Sequence, residues 1–127
     1  MTVAFAPRRG LIIVQAEVEG PLRTGAMLLV LDTGATRSLI GERHLVAVGY
    51  DPAAASQRVP FTTGTGAAVA PRIPVSKFRA LGQERMNFPV LCHTLPPNVA
   101  ADGILGLDFF RGQCLTIDFR NGLITLA

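Results

Sequence analysis

Asp32 is the residue of this sequence whose setting most invites chemistry. It ends the apolar run Leu29-Val30-Leu31 and opens the segment Asp32-Thr33-Gly34-Ala35-Thr36. A carboxylate at the end of a buried strand is costly unless nearby donors satisfy it. Gly34 permits a tight turn that aims its own N–H at that carboxylate, and the Thr33 and Thr36 hydroxyls can support the loop. A carboxylate held in this way is a candidate for taking or giving a proton. Asp-Thr-Gly alone is short enough to recur by chance, and an aspartate in a strand-ending turn is the plain alternative.

A second segment, about 70 residues downstream, changes that balance. Gly103-Ile104-Leu105-Gly106 reads as another apolar strand, and Leu107 to Phe110 as a short helix after it. Gly106 would let the two backbones approach closely, so that Leu105 and Gly106 support the Asp32 loop from beside it.

The elements around these segments read as short strands separated by Gly, Pro and Asn turns, which argues for an all-β barrel or sandwich. Val14, Ala16 and Val18 alternate with Gln15, Glu17 and Glu19, a half-buried strand. Met27 to Leu31 forms a buried strand, and Ile40 to Val48 the one helix longer than a turn, closed by Gly49. Val59 to Val69 reads as a hairpin tipped by Gly64-Thr65-Gly66. Ile73 to Ala80 and Met86 to Cys92 form two further strands about Gly82, with Pro71, Pro74 and Pro89 pushing them toward sheet edges. Leu115, Ile117 and Phe119 alternate with polar residues up to Asn121-Gly122, and Leu123 to Leu126 returns as the partner strand. Residues 1–127 read as one domain, with no repeat and no linker.

Composition excludes several function classes. Nearly half the residues are apolar, 49%, which suffices for one core at this length. The longest apolar run, Ala26 to Leu31, is far shorter than the roughly 20 residues of a spanning helix. No secretory signal opens the chain, so it is expected to be cytoplasmic, or a soluble domain whose signal or anchor lies outside this sequence. The net charge is +3, but the arginines are scattered and no aromatics interleave with them, so nucleic acid is not expected as a partner. Cys92 and Cys114 form no C-x-x-C pair and read as buried thiols. His44 and His93 lack ligand spacing and read as surface or packing residues, so no metal and no organic cofactor are expected.

The two motifs in this order resemble the retropepsin-like aspartic proteases, the single-domain relatives of pepsin. Leu31 to Thr36 is similar to their catalytic Asp-Thr/Ser-Gly-Ala motif, Gly103 to Gly106 to their apolar-apolar-Gly motif, and Cys114 to Leu126 to their terminal hairpin. Thr62 to Val69 stands where their substrate-covering flap stands, although no aromatic residue lies at its tip; Phe61 is at its base. The resemblance implies a small closed barrel with one or two short helices, active as a homodimer. It assigns catalysis to Asp32, Thr33 and Gly34, and substrate contacts to Ala35, Thr63, Gly64, Thr65, Gly66 and Ala67. Thr36, Leu105 and Gly106 would support the site.

The chemistry explains the dimer. Peptide hydrolysis without metal needs a base for the water and an acid for the carbonyl oxygen, and two adjacent carboxylates sharing one proton supply both. This chain has no second Asp-Thr-Gly, and Asp102 and Asp108 read as cap or structural residues. A twofold axis beside Asp32 would bring its copy opposite. By resemblance, Thr33 would brace the two loops across that axis, and the terminal strands Met1 to Ala6 and Leu123 to Ala127 would add to the interface. A peptide or protein would be the substrate, lying extended under the hairpin tips.

Two other classes stand beside this one. A silent peptide-binding or assembly module would keep the fold without cleaving. Asp-x-Gly-x-Thr also occurs in sugar-kinase and actin-like folds, but those are long α/β chains and helices here are few. Gly64 to Val69 lacks the third glycine and the following helix of a dinucleotide loop.

Overall fold

The alternation from Val14 to Val18 becomes a strand with one face in the core. In a computed structural model that describes residues 1–127, β2 (Ile13–Glu19) buries Val14, Ala16 and Val18. It follows β1 (Thr2–Ala4) and pairs antiparallel with β3 (Thr24–Leu31), which turns Met27, Leu29 and Leu31 inward. The chain continues through β4 (Leu39–Ile40), α1 (Glu42–Val48) and a 3-10 turn at Pro52–Ala54. The hairpin strands β5 (Gln57–Thr63) and β6 (Gly66–Ala80) come next, then β7 (Gln83–Cys92). The last elements are β8 (Gly103–Leu105), α2 (Leu107–Phe110), β9 (Leu115–Asp118) and β10 (Leu123–Leu126).

Strand order β2-β3-β8-β4-β7-β6 closes into a six-stranded barrel, because β6 also pairs with β2 from Lys77 to Ala80. β5 hangs outside on β6, and β1, β10 and β9 form a separate three-stranded sheet. One apolar cluster of 22 buried residues fills the barrel and takes Ile124 and Leu126 from the terminal sheet. Within it Phe109 packs edge to face on Phe78 and Phe88, which lie tilted against each other, with ring centroids 4.9 to 6.0 Å apart. Arg85 lies 4.7 Å above the Phe109 ring and donates to the Phe109 carbonyl, which holds the four-residue α2 in place.

Several expectations shift in detail. The helix begins at Glu42, because Leu39 and Ile40 are drawn into strand pairing between β7 and β8. Its end is as expected: Gly49 adopts φ 109° and its N–H caps the carbonyls of Leu45 and Val46. The second arm of the Val59 to Val69 hairpin and Ile73 to Ala80 share one long strand, β6, which runs from the hairpin straight into the barrel. The prolines do not mark sheet edges. Pro74 faces Pro89 across β6 and β7, at a point where the other side of β6 is unpaired between Arg72 and Lys77, so no ladder donor is missing there. Cys92 is buried, and burial raises its thiol pKa, but Cys114 is exposed beside the last strand; both are free.

The terminal hairpin turns earlier than Asn121-Gly122 alone suggests. β9 stops at Asp118 because its carboxylate accepts the N–H groups of Arg120 (2.9 Å) and Asn121 (3.0 Å) and the Asn121 side-chain amide (2.8 Å). These bonds, the Asn121 N–H first and its amide second, lower the Asp118 pKa. A depressed carboxylate pKa stabilises the fold above the unfolded pKa, and that stability is lost as pH falls through the folded value. Asp118→Ala should therefore lower the melting temperature at pH 7, and the gap to the unchanged protein should close as pH falls below about 4. Melting curves between pH 7 and 3 check this; an equal gap at every pH rules it out.

Candidate active site

Two strands set the site. β3 and β8 run parallel with Leu31 opposite Leu105, and both leave the barrel at the same end. The Asp32 N–H bonds the Leu105 carbonyl at 3.0 Å, so the last rung of the ladder ties the two loops together. The Asp32 loop then closes on itself. Gly34 N–H donates to Asp32 Oδ1 at 2.8 Å, as the glycine at that place predicts, and Ala35 N–H reaches the Asp32 carbonyl at 3.2 Å. The carboxylate stays half-buried, while Thr33 and Gly34 are exposed.

From there the chain doubles back as β4 on the far side of β8, so β8 is threaded between β3 and β4. This threading brings Ala35 and Gly106 together. The Leu107 N–H bonds the Ala35 carbonyl at 2.8 Å, and a Cβ on Gly106 would lie 2.8 Å from both the Ala35 carbonyl oxygen and the Arg37 backbone. The close approach expected of Gly106 is thus present, and only glycine allows it.

Ser38 and Asp108 lock the crossing, in roles the sequence reading did not assign. Ser38 is fully buried. Its N–H donates to Asp108 Oδ2 at 2.9 Å, its Oγ donates to Asp108 Oδ1 at 2.7 Å, and that Oγ accepts the Gly106 N–H at 3.0 Å. Asp108 is structural, as expected, but it does not cap its own helix; it reaches the Asp32 strand connection instead. The available signal was a carboxylate beside two phenylalanines on a four-residue helix, a charge that needs nearby donors. Asp102 is likewise structural: it accepts the Leu28 N–H at 2.9 Å and pairs with His44 at 3.2 Å, tying β3 and β8 to α1. His93 packs edge-on against Phe61, 4.9 Å between ring centroids.

The remaining predicted residues fall in two places. Ala35, Thr36, Leu105 and Gly106 gather at the Asp32 loop, although the Thr33 and Thr36 hydroxyls form no hydrogen bond within the chain. Thr63 to Ala67 form the hairpin tip, held by its own bonds: Thr63 Oγ1 donates to the Gly66 carbonyl at 2.8 Å and accepts the Thr65 N–H at 3.3 Å. Gly66 takes φ 128°, a conformation that glycine alone adopts readily. The side chains present no group of three or more His, Cys, Asp or Glu that could hold a metal ion.

A closed six-stranded barrel, an Asp-Thr-Gly loop at one end and an apolar-Gly loop crossing it define a retropepsin-like acid-protease fold. The aspartyl protease family model matches residues 14–109, and the chain belongs to that family. Its fold is similar to the crystal structure of a retropepsin-like aspartic protease from Rickettsia conorii, with a TM-score of 0.71 and 18% sequence identity, covering 100% of this chain and 91% of that one. No curated protein matches the sequence.

Proposed function

We propose that this protein is an aspartic endopeptidase whose active site is completed by two copies of the chain, each contributing Asp32. The observation that carries this reading is the Asp32 carboxylate itself. One oxygen is fixed by Gly34 N–H, and the group remains partly open to solvent. Asp102 and Asp108, the acids nearest the second motif, are fully engaged by Leu28, His44 and Ser38.

In the dimer the two carboxylates hold a water molecule and one proton between them. The unprotonated carboxylate takes a proton from the water as its oxygen adds to the peptide carbonyl, and the protonated one gives its proton to the carbonyl oxygen. The resulting diol collapses as the carbon–nitrogen bond breaks: the carboxyl that took the water's proton passes it to the leaving nitrogen, and a diol hydroxyl returns its proton to the other carboxylate, which restores the dyad. Thr33, exposed beside Asp32, braces its copy across the axis. Peptide backbone lies extended beneath the Thr63–Ala67 tips and pairs as an added strand.

Such an enzyme depends on association. Cleavage of an unbiased peptide library is expected, with specific activity rising with chain concentration through the range where sedimentation shows dimer forming. Constant activity per chain in a demonstrably monomeric sample would sink the two-copy site, and no cleavage by a dimer would leave a binding module.

A further inference from the structure

We propose that Arg37 and Arg72 select substrates carrying an acidic side chain near the bond cleaved, an inference that rests on the protease reading above. Residues in register across a sheet share a face. Val30, Ile104, Leu39 and Leu91 are in register across β3, β8, β4 and β7, and Leu91 is in register with Arg72 on β6. Their neighbours Leu29, Leu31, Leu105, Ile40, Val90 and Ile73 turn into the barrel core, so this row lies on the outer face. Val59 and Phe61, at the hairpin base, pack over its middle. The row is therefore an apolar strip beside Asp32, under the hairpin, with a cation at its far end.

There the surface sinks into a hollow of about 290 Å³ lined by Thr36, Arg37, Arg72, Pro89, Leu91 and Asp108. Its charge is uneven. The basic side chains within reach of a carboxylate are His44 at Asp102 and Arg79 at Glu17, so neither lining arginine has a carboxylate partner. Arg72 donates to the Gln57 side chain at 3.1 Å, and Arg37 makes no side-chain bond. Asp108 is the opposing charge, but both its oxygens are occupied by Ser38. Two guanidiniums facing one engaged carboxylate leave a net positive hollow, and the guanidinium fork matches a carboxylate in shape.

Position makes the hollow relevant to the substrate. Arg37 follows Asp32 by five residues, at most about 18 Å of extended chain. A peptide in strand conformation that crosses Asp32 toward the hollow reaches it within about five residues of the scissile bond. A Glu or Asp there exchanges water for two charge-assisted contacts, and an amide of equal size gains much less.

The test uses extended peptide pools randomised at all positions but one, that one fixed as Glu or as Gln in turn. Binding to the uncleaving Asp32→Asn protein is expected to favour Glu over Gln by about tenfold at one position in low salt. The ratio should shrink in 0.5 M NaCl and fall to about one in the Arg37→Gln, Arg72→Gln double variant. The Arg37→Lys, Arg72→Lys variant, which keeps the charge and loses the fork, should fall between. A ratio near one at every position, a ratio unchanged in the double Gln variant, or no binding by a folded protein overturns the inference. Cleavage of the same pools by the unaltered protein reports on the protease reading separately: cleavage without acid preference defeats only the selectivity, and acid-selective binding without cleavage defeats only the protease.

Discussion

Asp32→Asn is expected to lower peptide cleavage by roughly four orders of magnitude while leaving the chain folded and associated. In the proposed dimer each dyad carboxylate would supply a proton transfer that typically contributes 10²- to 10⁴-fold, and the substitution would remove both at once because the two copies are identical. The fold should survive because the loop asks Asp32 for an acceptor rather than a charge. Asn Oδ1 can take the Gly34 N–H that Asp32 Oδ1 takes now, and the Asp32 backbone bond to Leu105 is untouched. Replacing two carboxylates that share one proton by two neutral amides removes a single negative charge from the axis and should not weaken the dimer. Initial rates on a peptide library, a melting curve and gel filtration on the same samples decide the matter. Full activity in the variant would exclude the proposed mechanism, and an unfolded variant would show that the carboxylate is structural.

The largest loss of stability is expected at the Ser38–Asp108 crossing. Asp108→Ala leaves the buried Ser38 N–H and hydroxyl without acceptors, and two unsatisfied buried donors cost about 2–4 kcal/mol together. Asp108→Asn keeps one acceptor oxygen and should lose about half as much. Because Ser38 Oγ also accepts the Gly106 N–H, the Ser38→Ala and Asp108→Ala losses should overlap rather than add, and a double-mutant cycle in urea would show coupling of about 1 kcal/mol or more. Activity should fall more steeply than stability, since this lock holds the connection that carries Asp32. A change under about 0.5 kcal/mol in Asp108→Ala, within the usual range of surface substitutions, would mean that the crossing is held by backbone contacts alone.

Much of the site was legible because its requirements are local. An apolar strand running into an aspartate needs a donor within two residues, and Gly34 provides it from the adjacent backbone. Gly106 could be read as a close approach because a residue without a Cβ lets two backbones meet. Ser38 and Asp108 were harder, since their bond spans 70 residues and neither position stands out by periodicity. Arg37 and Arg72 were harder still. In sequence they are two of many scattered arginines, and only the register through Leu39 and Leu91 sets them around one hollow.

The sequence by itself determined the strands, the Asp32 loop, the glycines that let it close, and the family to which these belong. Alternation, turn chemistry and the local satisfaction of a carboxylate are short-range constraints, and short-range constraints are written in neighbouring residues. Tertiary structure alone decided that β8 threads between β3 and β4, that Asp108 serves Ser38 rather than its own helix, and that the prolines fit inside the sheet. Those outcomes depend on which distant backbone groups arrive beside one another, and a buried polar atom takes its partner from whatever the closed barrel brings within reach. Asp32 is half of each account: its loop is local, and the surface around it is made by the barrel.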